Sequence, residues 1–64
     1  MPTPETRRSK IVRRLEAEGW LLRRHGAEHD IYKHPDKAGA ISVPRHRELS
    51  PGVARSIARA AGWL

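Results

Sequence analysis

Apolar residues recur with helical spacing at both ends of the chain. Near the N-terminus, a narrow apolar stripe is formed by Ile11, Val12 and Leu15. Charged residues fill most other positions of this segment, so the pattern predicts an amphipathic helix. We expect the helix to begin near Pro4, with Thr3 as its N-cap, and to run to about Glu18, where Gly19 is a natural stop.

A second helical pattern occupies the C-terminal part of the chain. Ser50 is a good N-cap, and Pro51 suits the first helical position because no helical partner exists there for a backbone N–H. The apolar positions that recur at helical spacing are Val53, Ile57 and Ala60 or Ala61. Gly62 predicts the end of this helix.

Three short runs between the helices predict strands. They cover residues 20–25, 28–34 and 40–43, and turn-forming segments with glycine or proline separate them. The short Gly26-Ala27 connection predicts that the first two strands form an antiparallel hairpin. Residues 44–49 predict an irregular basic connection. The predicted order is therefore α-β-β-β-α, one α+β domain over residues 1–64, in which a three-stranded antiparallel sheet carries two helices on one face.

Alternation within the strands leaves one question open. In the second strand, one face carries His29, Ile31 and Lys33, and the other carries Asp30, Tyr32 and His34. Either Ile31 or Tyr32 could point to the core, and the choice decides which face exposes His29, unless a bulge breaks the alternation. In the first strand, alternation places Trp20 and Leu22 on one face and Leu21 and Arg23 on the other, with Trp20 expected in the core.

The charge of the chain bears on its partners. Thirteen lysines and arginines against seven acidic residues give a formal charge of +6. This balance favours a nucleic acid or an acidic protein over a neutral metabolite, and the alternative is a surface that only keeps the protein in solution. Arginine dominates, and its planar fork binds phosphate bidentately. The residues that we expect to contact RNA are Arg23, Arg24, Lys33, Arg45, His46 and Arg47.

His29 is the candidate catalytic residue. Imidazole exchanges a proton near neutral pH, because the unperturbed pKa of histidine is about 6.5. RNA supplies its own nucleophile, the ribose 2′-hydroxyl, and needs mainly a base, positioning and charge stabilisation. The pattern therefore suits RNA cleavage, with Tyr32, His46 or water protonating the leaving oxygen. A lone histidine on a strand is more often a solvated or hydrogen-bonded bystander.

Other kinds of site have less support. The chain has no cysteine, which excludes a disulfide framework and a thiolate metal site. His25 and His29 have a spacing that suits a metal only on a helix, and Gly26 places a turn between them. We therefore expect no metal and no cofactor. No apolar run approaches the roughly 20 residues of a membrane span, and no signal-peptide core is present, so we expect a soluble, cytoplasmic protein without membrane contact.

Several separated motifs together resemble one known family. They are Gly19-Trp20, the Gly-x-x-His run that starts at Gly26, the Val-Pro-x-His run that starts at Val43 and the Leu-x-x-Gly run that starts at Leu49. The motifs occur in the family's order, and the likeness extends from about Lys10 to Trp63. On these motifs, the chain resembles the HicA toxins of bacterial toxin-antitoxin modules over nearly its whole length.

The resemblance implies a double-stranded-RNA-binding-domain-like fold and a ribosome-independent, metal-independent endoribonuclease that cleaves mRNA. It also implies neutralisation by a cognate HicB-type antitoxin, and it assigns the family's catalytic histidine to His29. Many relatives carry serine or threonine immediately before that histidine, where this chain has Glu28. A hydroxyl contact to phosphate is therefore missing, and the carboxylate could change the protonation of His29, orient its ring or repel RNA.

Two functions without catalysis stay open on the sequence. The first is an RNA- or DNA-binding module that uses the same basic surface without cleaving its ligand. The second is a structural partner of an acidic protein, for which charge reversal at Arg45 and Arg47 would abolish complex formation. Cleavage of labelled RNA by the pure protein separates both from a nuclease.

Overall fold

The computed structural model describes residues 5–64, which form two helices and three strands in the predicted order. The elements are α1 (Arg8–Ala17), β1 (Leu21–His25), β2 (His29–Lys33), β3 (Ala40–Pro44) and α2 (Pro51–Ala61). The strands form one antiparallel sheet in the order β1-β2-β3. The α+β architecture with a three-stranded antiparallel sheet is therefore confirmed.

Helix α2 has the ends that its sequence predicts. The Ser50 side chain accepts a hydrogen bond from the backbone N–H of Val53 at 3.3 Å, and Pro51 opens the first turn. Gly62 follows the helix with a φ of 85°, a left-handed conformation that glycine adopts without a steric penalty. Helix α2 is thus fixed by a side-chain cap at one end and a glycine at the other.

Helix α1 begins later than its sequence predicts. Residues 5–7 are not helical, so a start at Pro4 is wrong for this part of the chain; the predicted cap Thr3 lies outside the described residues. Arg7 instead forms a β-bridge with Glu48, and the Leu49 N–H donates to the Thr6 carbonyl at 2.8 Å. These long-range hydrogen bonds occupy backbone groups that a helix would need, and they join the start of α1 to the loop before α2.

The sheet has one face against the helices and one face that they leave open. The helix face presents Asp30, Tyr32, Ile41 and Val43, all of them buried. The core contains these apolar strand residues together with Ile11, Leu15, Trp20, Leu49, Ala54, Ile57 and Ala61. The opposite face, here called the open face, carries Leu21, Arg24, His29, Ile31, Lys33 and Ser42. Both helices therefore cover one face, and Tyr32 rather than Ile31 points into the core.

A bulge in β1 changes which cations face outward. Leu22 pairs with Tyr32, but the next pair joins Arg24 to Ile31, so Arg23 is the extra residue. Arg24 consequently lies on the open face, a position that simple alternation does not give. Trp20 is buried as expected, although it precedes β1 and is not part of it.

Candidate active site

His29 lies at the end of the sheet where β2 begins and β3 ends. It pairs with Pro44 across the two strands, and its side chain is exposed. Among residues 5–64, no side chain or backbone group forms a hydrogen bond or ion pair with its imidazole. Glu28 does not hold the ring either, so an orienting contact from that carboxylate is absent from the described structure. The imidazole is thus available to a ligand.

The turn before His29 depends on a glycine. The Gly26 N–H donates to the His29 carbonyl at 2.7 Å. A Cβ atom at position 26 would lie 2.8 Å from that carbonyl oxygen, closer than side-chain carbons approach backbone atoms in proteins. Only glycine fits this approach without a backbone shift. The backbone N–H of Arg45 also donates to the Glu28 carbonyl at 3.1 Å, which ties the turn to the end of β3.

Asp30, next to His29 in β2, is the organising residue on the helix face. It is 7% exposed, and its carboxylate receives three charged or polar partners. They are His25 Nδ1 at 2.9 Å, Arg8 Nη2 at 2.6 Å and Arg45 Nε at 2.8 Å. The hydrogen bond from His25, followed by the Arg45 guanidinium, lowers the pKa of Asp30, although burial opposes this shift. Asp30 therefore stays ionised and neutralises part of the cationic cluster.

The two arginines on Asp30 also bind backbone carbonyls. Arg45 Nη2 donates to the Gly26 carbonyl at 2.8 Å, and Arg8 Nε donates to the Pro44 carbonyl at 2.8 Å. Each guanidinium is thus fixed at two points. Arg45 was expected to contact RNA, and the structure shows that it also clamps the turn that carries His29. Its side chain is still 41% exposed, so the clamp does not seal it from a ligand.

The other residues expected to contact RNA fall on two surfaces. Arg24 and Lys33 lie on the open face with His29, although Lys33 is at the far end of β2. The bulged Arg23 borders a hollow of about 290 Å³ that Lys33 also lines. His46 and Arg47 are exposed in the loop between β3 and α2, beyond the end of the sheet that carries His29. The sheet therefore does not gather all six residues at one point.

A cleft separates the start of α1 from the loop between β3 and α2. Its volume is about 560 Å³, and its lining residues are Arg7, Arg8, Ser9, Arg45, His46, Arg47 and Glu48. The expected residues Arg45, His46 and Arg47 thus share a surface with Arg7 and Arg8. The amphipathic pattern of this segment does not show the distant partners of Arg8.

Tyr32 does not reach the surface that exposes His29. It lies on the helix face, is 4% exposed, and burial raises the pKa of its phenol. A side chain in the core on the opposite side of the strand cannot protonate a leaving group beside His29. Of the proton donors considered from the sequence, His46 and water remain.

His34 has a structural role just after β2. Its Nε2–H donates to the Glu18 carbonyl at 2.9 Å, and its Nδ1 accepts from the Asp36 N–H at 3.0 Å. Its ring also lies edge-on to Trp20, with 5.4 Å between the ring centroids. These contacts use both nitrogens and tie the end of α1 to the turn after β2, so His34 and His29 have different surroundings on the same segment.

Two further properties concern residues 5–64 as a whole. No group of three or more histidine, cysteine or acidic side chains in this range is arranged to hold a metal ion. Neither of the two helices is long and apolar enough to span a bilayer.

The fold and the site define the class of protein to which the chain belongs. A three-stranded antiparallel sheet with two helices on one face and arginines around one sheet end is a small basic domain of the double-stranded-RNA-binding-domain type. The family model described as "HicA toxin of bacterial toxin-antitoxin" matches residues 8–63. The chain belongs to this family and is the toxin of a toxin-antitoxin system, which implies an antitoxin partner. A search of curated proteins found no match.

Proposed function

We propose that the protein is a ribosome-independent, metal-independent endoribonuclease that cleaves mRNA, with His29 as the general base. The observation that carries the proposal is the imidazole itself. It is exposed, has no partner among the described residues, and lies beside a turn that Gly26 and Arg45 hold in place. A base held on a rigid element and open to a ligand is what proton abstraction needs.

The reaction uses the 2′-hydroxyl of the RNA as its nucleophile. His29 takes the proton of this hydroxyl while the 2′-oxygen forms a bond to the adjacent phosphorus. The bond from phosphorus to the 5′-oxygen breaks, and that oxygen takes a proton from water or His46. The products are a 2′,3′-cyclic phosphate and a 5′-hydroxyl, and every proton in this scheme moves between the RNA, the histidines and water.

Cations near His29 would bind the phosphates and stabilise the charge that develops on them. Arg24 is exposed on the open face, and Arg45 binds the Gly26 carbonyl in the turn before His29. Guanidinium groups bind phosphate oxygens bidentately, and they act more strongly where water is partly excluded. Lys33 and Arg23 lie further along the sheet and would contact more distant phosphates.

We propose a HicB-type antitoxin as the partner and the open face as the surface that it covers. Leu21 is 61% exposed there, and Ile31 is only half-buried. Arg24 and Lys33 accompany these apolar side chains, so an antitoxin with apolar and acidic side chains would complement the face. Covering it would also block access to His29.

Wild type and His29→Ala should be compared on purified, end-labelled mRNA without ribosomes, with and without EDTA. General-base catalysis contributes about 10² to 10⁴-fold, so we expect a rate loss of that order in the variant and no effect of EDTA on wild type. Circular dichroism should first show that both proteins are folded. Equal cleavage rates for the two proteins would refute the role of His29. Salt-dependent binding without any cleavage product would instead establish a non-catalytic RNA-binding module.

A further inference from the structure

We propose that the cleft between α1 and the β3–α2 loop, here called the arginine cleft, binds a backbone phosphate of the RNA at a position away from the scissile bond. The cleft is defined by Arg7, Arg8, Ser9, Arg45, His46, Arg47 and Glu48. This inference rests on the proposed function, because it assigns the surface over which the substrate of His29 continues.

The charges that line the cleft favour an anion. Four arginines face one glutamate, and the carboxylate of Glu48 accepts a hydrogen bond from the Thr6 hydroxyl. Asp30, the other carboxylate in contact with this group, is already bound to Arg8 and Arg45. Within residues 5–64, Arg7 and Arg47 have no carboxylate within ion-pair distance. The cleft therefore keeps a net positive charge that its own acidic residues do not neutralise.

Two of the four guanidinium groups are fixed before any ligand arrives. Arg8 binds Asp30 and the Pro44 carbonyl, and Arg45 binds Asp30 and the Gly26 carbonyl. These bonds use Nε and Nη2 of each side chain and leave Nη1 of each without a protein partner among the described residues. A long side chain that is already ordered loses less conformational entropy when it binds a ligand, so these arginines are suited to hold a phosphate oxygen.

The start of α1 adds to the positive potential without being the basis of the proposal. Helix α1 has no acidic residue in its first turn, and no side chain caps its N-terminus. The Glu5 carboxylate accepts hydrogen bonds from the backbone N–H groups of Thr6 and Arg7 just before the helix, at 3.1 and 3.0 Å, so it offsets part of the positive charge of the helix dipole at this end. The hydroxyl of Ser9, one residue into the helix, supplies a further hydrogen-bond donor in the lining.

Arg45 connects the arginine cleft to His29. Its guanidinium contacts the Gly26 carbonyl in the turn before His29, and the same side chain lines the cleft. An RNA strand that places its reacting ribose at His29 would pass Arg45 as it continues into the cleft. This continuity favours a nucleic-acid backbone over an isolated acidic side chain, because successive phosphates would match the two separated sites.

The test uses an RNA oligonucleotide that cannot be cleaved because every 2′-hydroxyl is methylated. Its affinity should be measured by fluorescence anisotropy over a salt series, for wild type and for Arg7→Ala/Arg47→Ala. Arg8 and Arg45 are left intact because they hold Asp30. The charge-matched control is Arg13→Ala/Arg59→Ala, which removes exposed helix arginines outside the cleft. Circular dichroism should show that both double variants are folded.

We expect the cleft variant to bind the oligonucleotide about tenfold more weakly. The negative slope of log affinity against log salt should also become shallower by about 0.7, the value for one phosphate contact on a single strand. The control should keep the wild-type slope. An unchanged slope in the cleft variant would overturn the inference. If the cleft variant also bound a polyglutamate peptide more weakly than wild type, that result would assign the cleft to an acidic protein.

The salt dependence of binding and the cleavage of mRNA are measured separately, so the two proposals can fail independently. A reduced slope in a protein that never cleaves mRNA supports the cleft and refutes the nuclease. An unchanged slope in a protein that cleaves mRNA refutes the cleft and leaves the role of His29 intact.

Discussion

The Nε of Arg45, the residue that follows β3, lies 2.8 Å from Oδ1 of Asp30 in β2. The same guanidinium reaches the Gly26 carbonyl at 2.8 Å. The turn before His29 and the carboxylate after it are therefore joined through one arginine. Changes to this arrangement should affect both the stability of the protein and the position of the imidazole.

Asp30→Asn should reduce stability in a way that depends on pH. The pKa of Asp30 is lowered in the folded protein, first by the hydrogen bond from His25 and then by Arg45. A carboxyl group with a lowered pKa stabilises the fold above its unfolded pKa, about 3.9, and this contribution disappears as the pH falls through the folded value. Urea unfolding should therefore show a less stable variant at pH 7 and a smaller difference from wild type at pH 3.

Asp36→Asn provides the matched control for that experiment. Asp36 lies in the exposed turn after β2, and among residues 5–64 its carboxylate has no cationic partner. We expect a change within about 0.5 kcal/mol, as is usual for surface substitutions. Equal effects of the two substitutions at pH 7 would show that the bonds to Asp30 contribute nothing measurable.

Gly26→Ala should disturb the turn that holds His29. The added Cβ would lie 2.8 Å from the His29 carbonyl oxygen, so the backbone must shift. We expect a loss of about 1–3 kcal/mol in the free energy of unfolding and a lower rate of RNA cleavage. Gly52→Ala is the control, since its added Cβ has no atom within 4 Å beyond its own stretch of helix backbone and the residue is in the first turn of α2. That variant should be neutral or more stable by up to about 1 kcal/mol.

His34→Ala should reduce the stability of the protein, whereas His29→Ala should reduce RNA cleavage and leave stability nearly unchanged. His34 loses hydrogen bonds to Glu18 and Asp36 and its edge contact with Trp20, which we expect to cost about 1–3 kcal/mol. His29 has no such contacts in the described structure, so its replacement should change stability by less than about 0.5 kcal/mol. Thermal unfolding and RNA cleavage below both melting temperatures will distinguish them. A stable but inactive His34→Ala variant would contradict this assignment.

Trp63→Phe should raise the pKa of Glu18. The Trp63 indole N–H donates to Glu18 Oε1 at 2.7 Å, and this bond is the largest cause of the lowered pKa of that carboxyl group. Arg14 also hydrogen-bonds Glu18, at 3.2 Å, and its charge lowers the pKa of Glu18 as well. NMR titration of the Glu18 carboxyl carbon should therefore show a higher pKa in Trp63→Phe than in wild type. An unchanged pKa would show that the indole hydrogen bond does not act on Glu18.

Local signals predicted the parts of the fold that depend on neighbouring residues. Ser50 and Gly62 mark the two ends of α2, because a cap and a left-handed glycine act within one turn of the helix. The choice between Ile31 and Tyr32 could not be made in this way, since both are apolar and alternate strand positions are equivalent until helices cover one face. The structure settles it with Tyr32 in the core.

His29 could be chosen as a candidate from the sequence, but the contacts that surround it could not be predicted. Arg8 meets Asp30 from 22 positions away and the Pro44 carbonyl from 36 positions away, so no local pattern reports either contact. The bulge at Arg23 has the same origin, because the register of an edge strand depends on its partner. The late start of α1 also follows from distant backbone hydrogen bonds, here to residues 47 and 49.

The single carboxylate shared by His25, Arg8 and Arg45 has a genetic consequence. In a screen for bacterial colonies that survive expression of the toxin, substitutions at Asp30 should lower the amount of folded protein in the cell. Survivors that still accumulate normal amounts of the toxin should instead include mutations at His29. Measuring toxin abundance across survivors would thus sort the two groups without any assay of RNA.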